Sequence, residues 1–164
     1  MALGDWVWSA LNLPHKMAYG LTHGAVMCLC LGIAIGVRAG RLAPAAAAGP
    51  VIGVIAAGSF YALAPWLRYS AMFPSWMLFW MLFALLQQWL TMGESITVAA
   101  ARGGIAAVLS GIAFYLISGI WIDRSVGGEN PLVHLAAWSF AFLPGFAVLF
   151  ADLPPEAPDA KATR

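Results

Sequence analysis

Five long stretches without a charged residue constrain the fold of this chain more than any other feature. They cover residues 17–37, 42–67, 69–93, 103–122 and 130–151, and each is at least 20 residues long. A helix of about 20 apolar residues crosses a hydrocarbon core of about 30 Å. Only 9% of the residues are charged, against roughly 25% in soluble domains. We therefore predict an all-α integral membrane bundle of five transmembrane helices.

These helices are expected to form a single transmembrane domain at residues 1–150. The alanine- and proline-rich stretch 42–50 is expected to be a loop between the first two helices. Apolar residues within 1–13 recur at helical spacing, which predicts a short interfacial helix on the membrane surface, with a frayed terminus as the alternative. Prolines among charges at 151–164 predict a disordered tail. The expected helix bounds are about 17–37, 51–67, 72–92, 103–122 and 132–150.

Small residues recur at every fourth position of the first predicted helix, and they leave one face of that helix without bulk. Such a face lets a neighbouring helix approach closely. We predict that it packs against the second or fourth helix, and that these three helices form the centre of the bundle. The third and fifth helices, which are rich in Trp and Phe, are expected outside. The small residues are Gly20, Gly24, Cys28, Gly32 and Gly36.

The second and fourth helices share a pattern at an offset of 54 residues. Aligning 45–66 with 99–120 without gaps gives seven identities in 22 positions. The matches include the pairs Phe60-Tyr61 and Phe114-Tyr115, and the same shift carries the first helix onto the third. The pattern predicts a parallel repeat of two-helix units with a fifth helix added. Chance similarity among membrane helices is the alternative.

Composition and motifs argue against several functions. The formal net charge is +1, so nucleic acid is not an expected partner. The predicted spans contain no Asp, Glu, Lys or Arg, which counts against a carboxylate-based pathway for protons or cations. No phosphate-binding loop, zinc-protease motif or nucleophile elbow is present. We therefore expect binding rather than enzymatic catalysis.

Two histidines are the candidate ligand-binding residues. His23 and His134 lie early in the first and fifth helices, which start on the same membrane side, so similar depths are expected. Each has a leucine two residues before it and an alanine two residues after it. Further polar and aromatic residues are expected at the same membrane face. These are His15 and Tyr19 on the stripe of His23, together with Trp66, Arg68, Trp121 and Arg124.

Three interpretations of the histidines remain open. They are axial ligands of haem b, with Arg68 or Arg124 holding propionates. Alternatively, they bind a quinone or a lipid headgroup at the interface. In the third, each imidazole bonds a carbonyl or another side chain and has a structural role. Spacing also allows a copper site of His23, Met27 and Cys30.

The expected function is that of a small polytopic membrane protein that acts by binding, as an accessory subunit or a small-ligand carrier. A redox subunit with haem b or quinone at His23 and His134 is the alternative. The expected partners are the lipid bilayer and other membrane subunits or a second copy. Five of the eight basic residues lie on the side of the C-terminus, which predicts a cytoplasmic C-terminus and an outside N-terminus. Six Arg against two Lys, with abundant Ala, suggest a bacterial inner membrane.

Overall fold

The computed structural model describes residues 15–122 and 131–151, without the side chains at 16, 69, 118–122 and 131–138. All of the regular structure in these ranges is helical, and a 3-10 turn at Arg68–Ala71 joins the second and third helices. The predicted surface helix at 1–13 and the tail at 152–164 lie outside the described residues. The five helices are α1 (Lys16–Arg38), α2 (Leu42–Leu67), α3 (Met72–Thr91), α4 (Ile96–Ile122) and α5 (Pro131–Phe150).

Three of the described helices are long and apolar enough to cross a membrane, by length and composition. They are Met17–Arg38, Leu42–Leu67 and Ile96–Ile117, in α1, α2 and α4. The chain is therefore a membrane protein, and the regular structure of its described residues is entirely helical. α3 is not among these three helices. Its three tryptophans and two glutamines lower its mean hydropathy.

The expected loop at 42–50 is wrong, because α2 begins at Leu42. Alanine has the highest helix propensity, and Pro44 lies in the first turn, where a backbone N–H has no helical partner to lose. The real connection from α1 is a tight turn. Gly40 adopts φ +66° there, and the N–H of Arg41 donates to the carbonyl oxygen of Gly36 at 2.8 Å, as in a Schellman motif.

The prediction that α1 uses its glycines to pack on a neighbour is confirmed, and the neighbour is α2. A Cβ atom added at Gly24 would lie 2.9 Å from the carbonyl oxygen of Gly53. A Cβ atom added at Gly32 would lie 3.1 Å from the Cα atom of Gly49. Both distances are shorter than ordinary carbon contacts, so any side chain at these positions would push the two helices apart.

The expected position of α3 outside the bundle is wrong. Trp80 and Phe83 of α3 are fully buried, and α3 packs against both α2 and α4. The indole ring of Trp80 lies against Gly145 of α5 and contacts the ring of Phe146 at 5.5 Å between centroids. Small residues on the neighbouring helices make room for these aromatic rings, so the bulky helix fills the interior.

The predicted start of α4 is also wrong, and the difference changes the location of one charge. The helix begins at Ile96, seven residues before the expected start, because Ser95 precedes it as a helix cap. The Ser95 hydroxyl accepts a hydrogen bond from the N–H of Val98 at 3.3 Å, which is a typical capping interaction. Arg102 therefore lies within the helix and within its apolar span, where no charged residue was expected.

Candidate functional site

A cleft of about 270 Å³ lies among α1, α2, α3 and α5. It is the candidate ligand-binding site. The small residues Gly20, Gly24 and Gly53 line it where α1 and α2 approach each other. The close packing of these two helices leaves one wall of the cleft flat, since glycine has no side chain to fill the space. Its larger lining side chains are His23, Met27, Phe60, Tyr61, Met72, Ser75, Trp76, Phe79 and Phe142.

Side chains with hydrogen-bonding groups line the cleft on three different helices. They are the imidazole of His23 on α1, the phenol of Tyr61 on α2, and the hydroxyl of Ser75 and the indole of Trp76 on α3. The Tyr61 side chain lies against Gly20, where a Cβ atom would collide with its ring. The Ser75 hydroxyl donates to the carbonyl oxygen of Ala71 at 2.9 Å, and so it does not depend on a ligand.

The remaining wall is aromatic. Trp76 of α3 lies 4.9 Å from the ring of Phe142 on α5, between centroids. Phe79 lies 5.7 Å from the same ring in an edge-on arrangement. Such contacts favour rings at fixed angles, and they present flat apolar surfaces to the cleft. The described lining contains no Asp, Glu, Lys or Arg.

The structure places the predicted site residues of the α1 stripe together. His23 lines the cleft, and its ring lies 5.6 Å from that of Tyr19 between centroids. His15 is exposed and immediately precedes α1. Trp66 and Arg68 are exposed at the end of α2 and are not among the residues that line the cleft. The side chain of Trp121 and the whole of Arg124 lie outside the described residues.

His134 lies in the first turns of α5, eight residues before Phe142. Eight helical residues span about 12 Å, so the backbone of His134 lies two turns from Phe142, the described residue through which α5 lines the cleft. Its side chain is outside the described residues, and a ligand shared with His23 stays a prediction. For the copper site, Met27 lines the cleft beside His23, whereas Cys30 is exposed and is not part of the lining.

Within residues 15–122 and 131–151, no group of three His, Cys, Asp or Glu side chains could hold a metal ion. The cleft itself supplies an imidazole, a phenol, a hydroxyl, an indole, the thiol of Cys28 and the thioethers of Met27 and Met72. These groups suit hydrogen bonding and contact with polarizable rings. The described lining therefore offers polar and polarizable groups without a carboxylate, lysine or arginine.

A second polar group of residues lies at the other end of the bundle and was missed in the sequence. Arg102 forms an ion pair with Glu94 at 2.8 Å, and both side chains are nearly buried, at 11% and 12% exposure. Gln88 donates to the carbonyl oxygen of Glu94 at 3.3 Å. Glu94 lies eight residues before Arg102, which corresponds to about two helical turns. Because Glu94 precedes α4, helical spacing alone does not indicate that the two residues are paired.

Tyr61, Ser75 and Trp76 were also missed as cleft residues. One signal for Tyr61 was present, because it belongs to the Phe-Tyr pair shared by the second and fourth helices. Nothing local marks Ser75 or Trp76, since their roles depend on which helix faces them.

Comparison with known proteins finds no matching family model, no matching curated protein and no matching solved structure.

Proposed function

We propose that this chain is a membrane protein of five transmembrane helices that binds a small neutral molecule in the cleft. It acts as an accessory subunit or a small-ligand carrier. The observation that carries the proposal is the combination of an apolar cleft of about 270 Å³ with polar groups from three helices, on His23, Tyr61 and Ser75. Small-molecule sites are typically apolar pockets with a few convergent polar groups.

The neutrality of the ligand follows from the lining. The described lining has no carboxylate, lysine or arginine. A charged ligand would lose its hydration there without gaining an opposite charge, which costs several kcal/mol or more. A neutral molecule with hydrogen-bond acceptors would exchange bonds to water for bonds to His23 or Tyr61.

The lengths of α3 and α5 support five membrane crossings. Each has 20 residues, which corresponds to about 30 Å of helix. The contacts of Gly49 and Gly103 support the two-helix repeat. Gly49 of α2 faces the backbone at Cys28 and Leu29 of α1, and Gly103 of α4 faces the backbone of α3 at Trp80 and Met81, two residues before the positions that an offset of 54 would give. The second helix of each pair thus presents its equivalent glycine to the first.

The orientation is proposed from charge. Arg38, Arg41 and Arg102 lie at the end of the bundle where α1 ends and α2 and α4 begin. An excess of Arg and Lys marks the cytoplasmic side of membrane proteins, so this end faces the cytoplasm and the start of α1 faces outward. The composition supports a bacterial inner membrane. Labelling of single cysteines at exposed positions such as Arg41 and His15 from each side of sealed vesicles tests the orientation.

Retention of a ligand tests the binding function. The full chain is purified in mild detergent, its organic extract is analysed by mass spectrometry, and wild type is compared with Ala57→Leu. Ala57 lines the cleft, so the larger side chain would occupy part of it. We expect a neutral, membrane-soluble molecule to be recovered with wild type at close to one per chain, and to be lost from the variant.

Ala62→Leu is the matched control, because Ala62 is exposed on the same helix and lies outside the cleft lining. It should retain the molecule as wild type does. Thermal unfolding of all three proteins shows whether the helices still pack. If extracts of wild type and Ala57→Leu contain the same molecules in the same amounts, the cleft is not a ligand site.

A further inference from the structure

Resting on the proposed binding function, we infer that the ligand is a quinone, held by its ring in the cleft with its carbonyl oxygens at His23 and Tyr61. The inference depends on three properties of the cleft: its size, the position of its donors and the shape of its apolar wall. Each narrows the class of neutral molecules that would fit.

Size comes first. A volume of about 270 Å³ lies just below the range of roughly 300–1,000 Å³ that is usual for small-molecule sites. A single substituted ring fits such a space, with an apolar tail extending from it into the surrounding membrane. A porphyrin macrocycle or a two-chain lipid headgroup with its glycerol is much larger. The size therefore favours a compact ring over either of these.

The second property is the position of the hydrogen-bond donors in the cleft. A quinone ring is neutral and carries acceptors on opposite sides, with no donor of its own. An imidazole N–H and a phenol O–H are the complementary groups, and here they come from α1 and α2, which form the same wall through Gly24 and Gly53. Two neighbouring helices thus line the cleft with donor groups for the carbonyl oxygens of such a ring.

The third property is the shape of the apolar wall. Trp76, Phe79 and Phe142 present ring surfaces on the side of the cleft formed by α3 and α5. A flat ligand gains offset or edge contacts with such rings, which are worth about 1 kcal/mol each beyond simple burial. The flexible thioethers of Met27 and Met72 adapt to ring substituents. A flexible acyl chain would use little of this geometry.

The test uses the full chain in nanodiscs of phosphatidylcholine, titrated calorimetrically with two neutral molecules of similar tail. One is a decyl-tailed benzoquinone, and the other is decylbenzene, which has a ring of the same size without carbonyl groups. Empty nanodiscs give the background from partition into lipid. We expect the quinone to bind saturably, and about 25-fold more tightly than decylbenzene, since two hydrogen bonds contribute about fivefold each.

Two substitutions locate the donors. Tyr61→Phe removes a single hydroxyl, and His23→Phe replaces the imidazole by a ring without donors. Each should weaken quinone binding about fivefold and leave decylbenzene binding unchanged. Tyr115→Phe is the matched control: it removes the hydroxyl at the position 54 residues further on, in α4, which is outside the cleft lining. It should bind the quinone as wild type does.

Failure of the inference and failure of the binding function give different results. Equal binding of the two molecules, insensitive to Tyr61→Phe, would show that the cleft binds apolar rings without recognising carbonyls. The absence of quinone binding, with another molecule still recovered from wild type and lost from Ala57→Leu, would overturn the quinone and keep the binding function. If neither molecule binds and wild type retains nothing, both are overturned.

Discussion

Arg102 of α4 donates a hydrogen bond through Nη2 to the carbonyl oxygen of Leu149, in the last turn of α5. The same nitrogen reaches the carbonyl oxygens of Val148 and Ala151 at 3.4 Å each, while Nη1 pairs with Glu94 at 2.8 Å. The last carbonyls of a helix have no partner within it. One guanidinium therefore caps α5 and joins it to α4 and to the loop before α4.

Removing this guanidinium should destabilise the bundle strongly. Arg102→Met leaves the Glu94 carboxylate nearly buried without its counter-charge and leaves the α5 carbonyls uncapped. We expect a loss of about 3 kcal/mol in the free energy of unfolding, measured by denaturant titration in detergent micelles. Arg41→Met is the control, since Arg41 is exposed. A loss of less than about 0.5 kcal/mol in Arg102→Met, the level expected for surface changes, would show that the cap contributes little.

The glycine contact between α1 and α2 predicts a second large effect. Gly32→Leu would place a side chain against Ala45 and Gly49 of α2, and we expect it to cost about 3 kcal/mol or prevent folding. Gly104→Ala is the contrast, because a Cβ atom at Gly104 meets nothing within 4 Å. This change should be neutral or stabilise α4 by up to about 1 kcal/mol. Thermal unfolding of both variants checks the difference, and similar effects would contradict close packing of α1 on α2.

Gly145 and Trp80 should behave as a coupled pair. Gly145→Ala directs a methyl group into the indole ring and against the hydroxyl of Ser110, so we expect a loss of about 2 kcal/mol. Trp80→Phe also destabilises alone, because it leaves a cavity. In the double variant the smaller ring relieves the collision with the indole but not the contact with Ser110, and the combined loss should fall short of the sum by about 1 kcal/mol. Strict additivity in this double-mutant cycle would show that the two residues do not contact each other.

The end of α3 offers a stabilising substitution. Met92 adopts a left-handed conformation, with φ 51° and ψ 25°, and its side chain is 73% exposed. Glycine takes this conformation without a steric cost. Met92→Gly should therefore raise the free energy of unfolding by about 0.5–1 kcal/mol. Met92→Ala should give no such gain, and a gain from alanine equal to that from glycine would exclude the backbone explanation.

The roles of the two histidines can be distinguished by the same extraction and mass spectrometry that measure retention of the ligand. His23→Ala removes a lining side chain and should reduce the amount of molecule recovered with the protein. Among the described residues of α5, Phe142 lines the cleft, eight residues after His134, so we expect His134→Ala to leave that amount close to wild type. Equal loss in both variants would instead favour one ligand shared by the pair. An absorption spectrum with a Soret band, lost in either variant, would identify that ligand as haem b.

The five helices of the described residues and the α1–α2 contact could be predicted from the sequence because both depend on local patterns. Charge-free length predicts a helix, and small residues at every fourth position predict a close neighbour. The choice of α2 over α4 as that neighbour was left open. The stripe that His23 shares with Tyr19 follows in the same way from their spacing of four, whereas the place of His23 in the cleft does not.

Other features could not be predicted because they depend on partners distant in the sequence. From the sequence, Trp80 is expected to face lipid. Only the structure shows that Gly145 on α5 makes room for it. Arg102 looks like a loop residue until Ser95 is recognised as the cap that starts α4 early. Tyr61 and Ser75 reach the cleft only because α2 and α3 meet beside His23, and no spacing within either helix contains that information.

The order of helix contacts has a consequence for biosynthesis. The most extensive helix contacts join neighbours along the chain, with α1 on α2, α3 on α4 and α4 on α5, so each helix can find a partner as soon as its neighbour has been synthesised. Such local pairing generally speeds folding. Arg102 follows this order over a long separation, because its acceptor Leu149 lies on the next helix, 47 residues downstream. Before α5 is synthesised, the described side-chain partner of Arg102 is Glu94, and α5 then completes the coordination of this guanidinium.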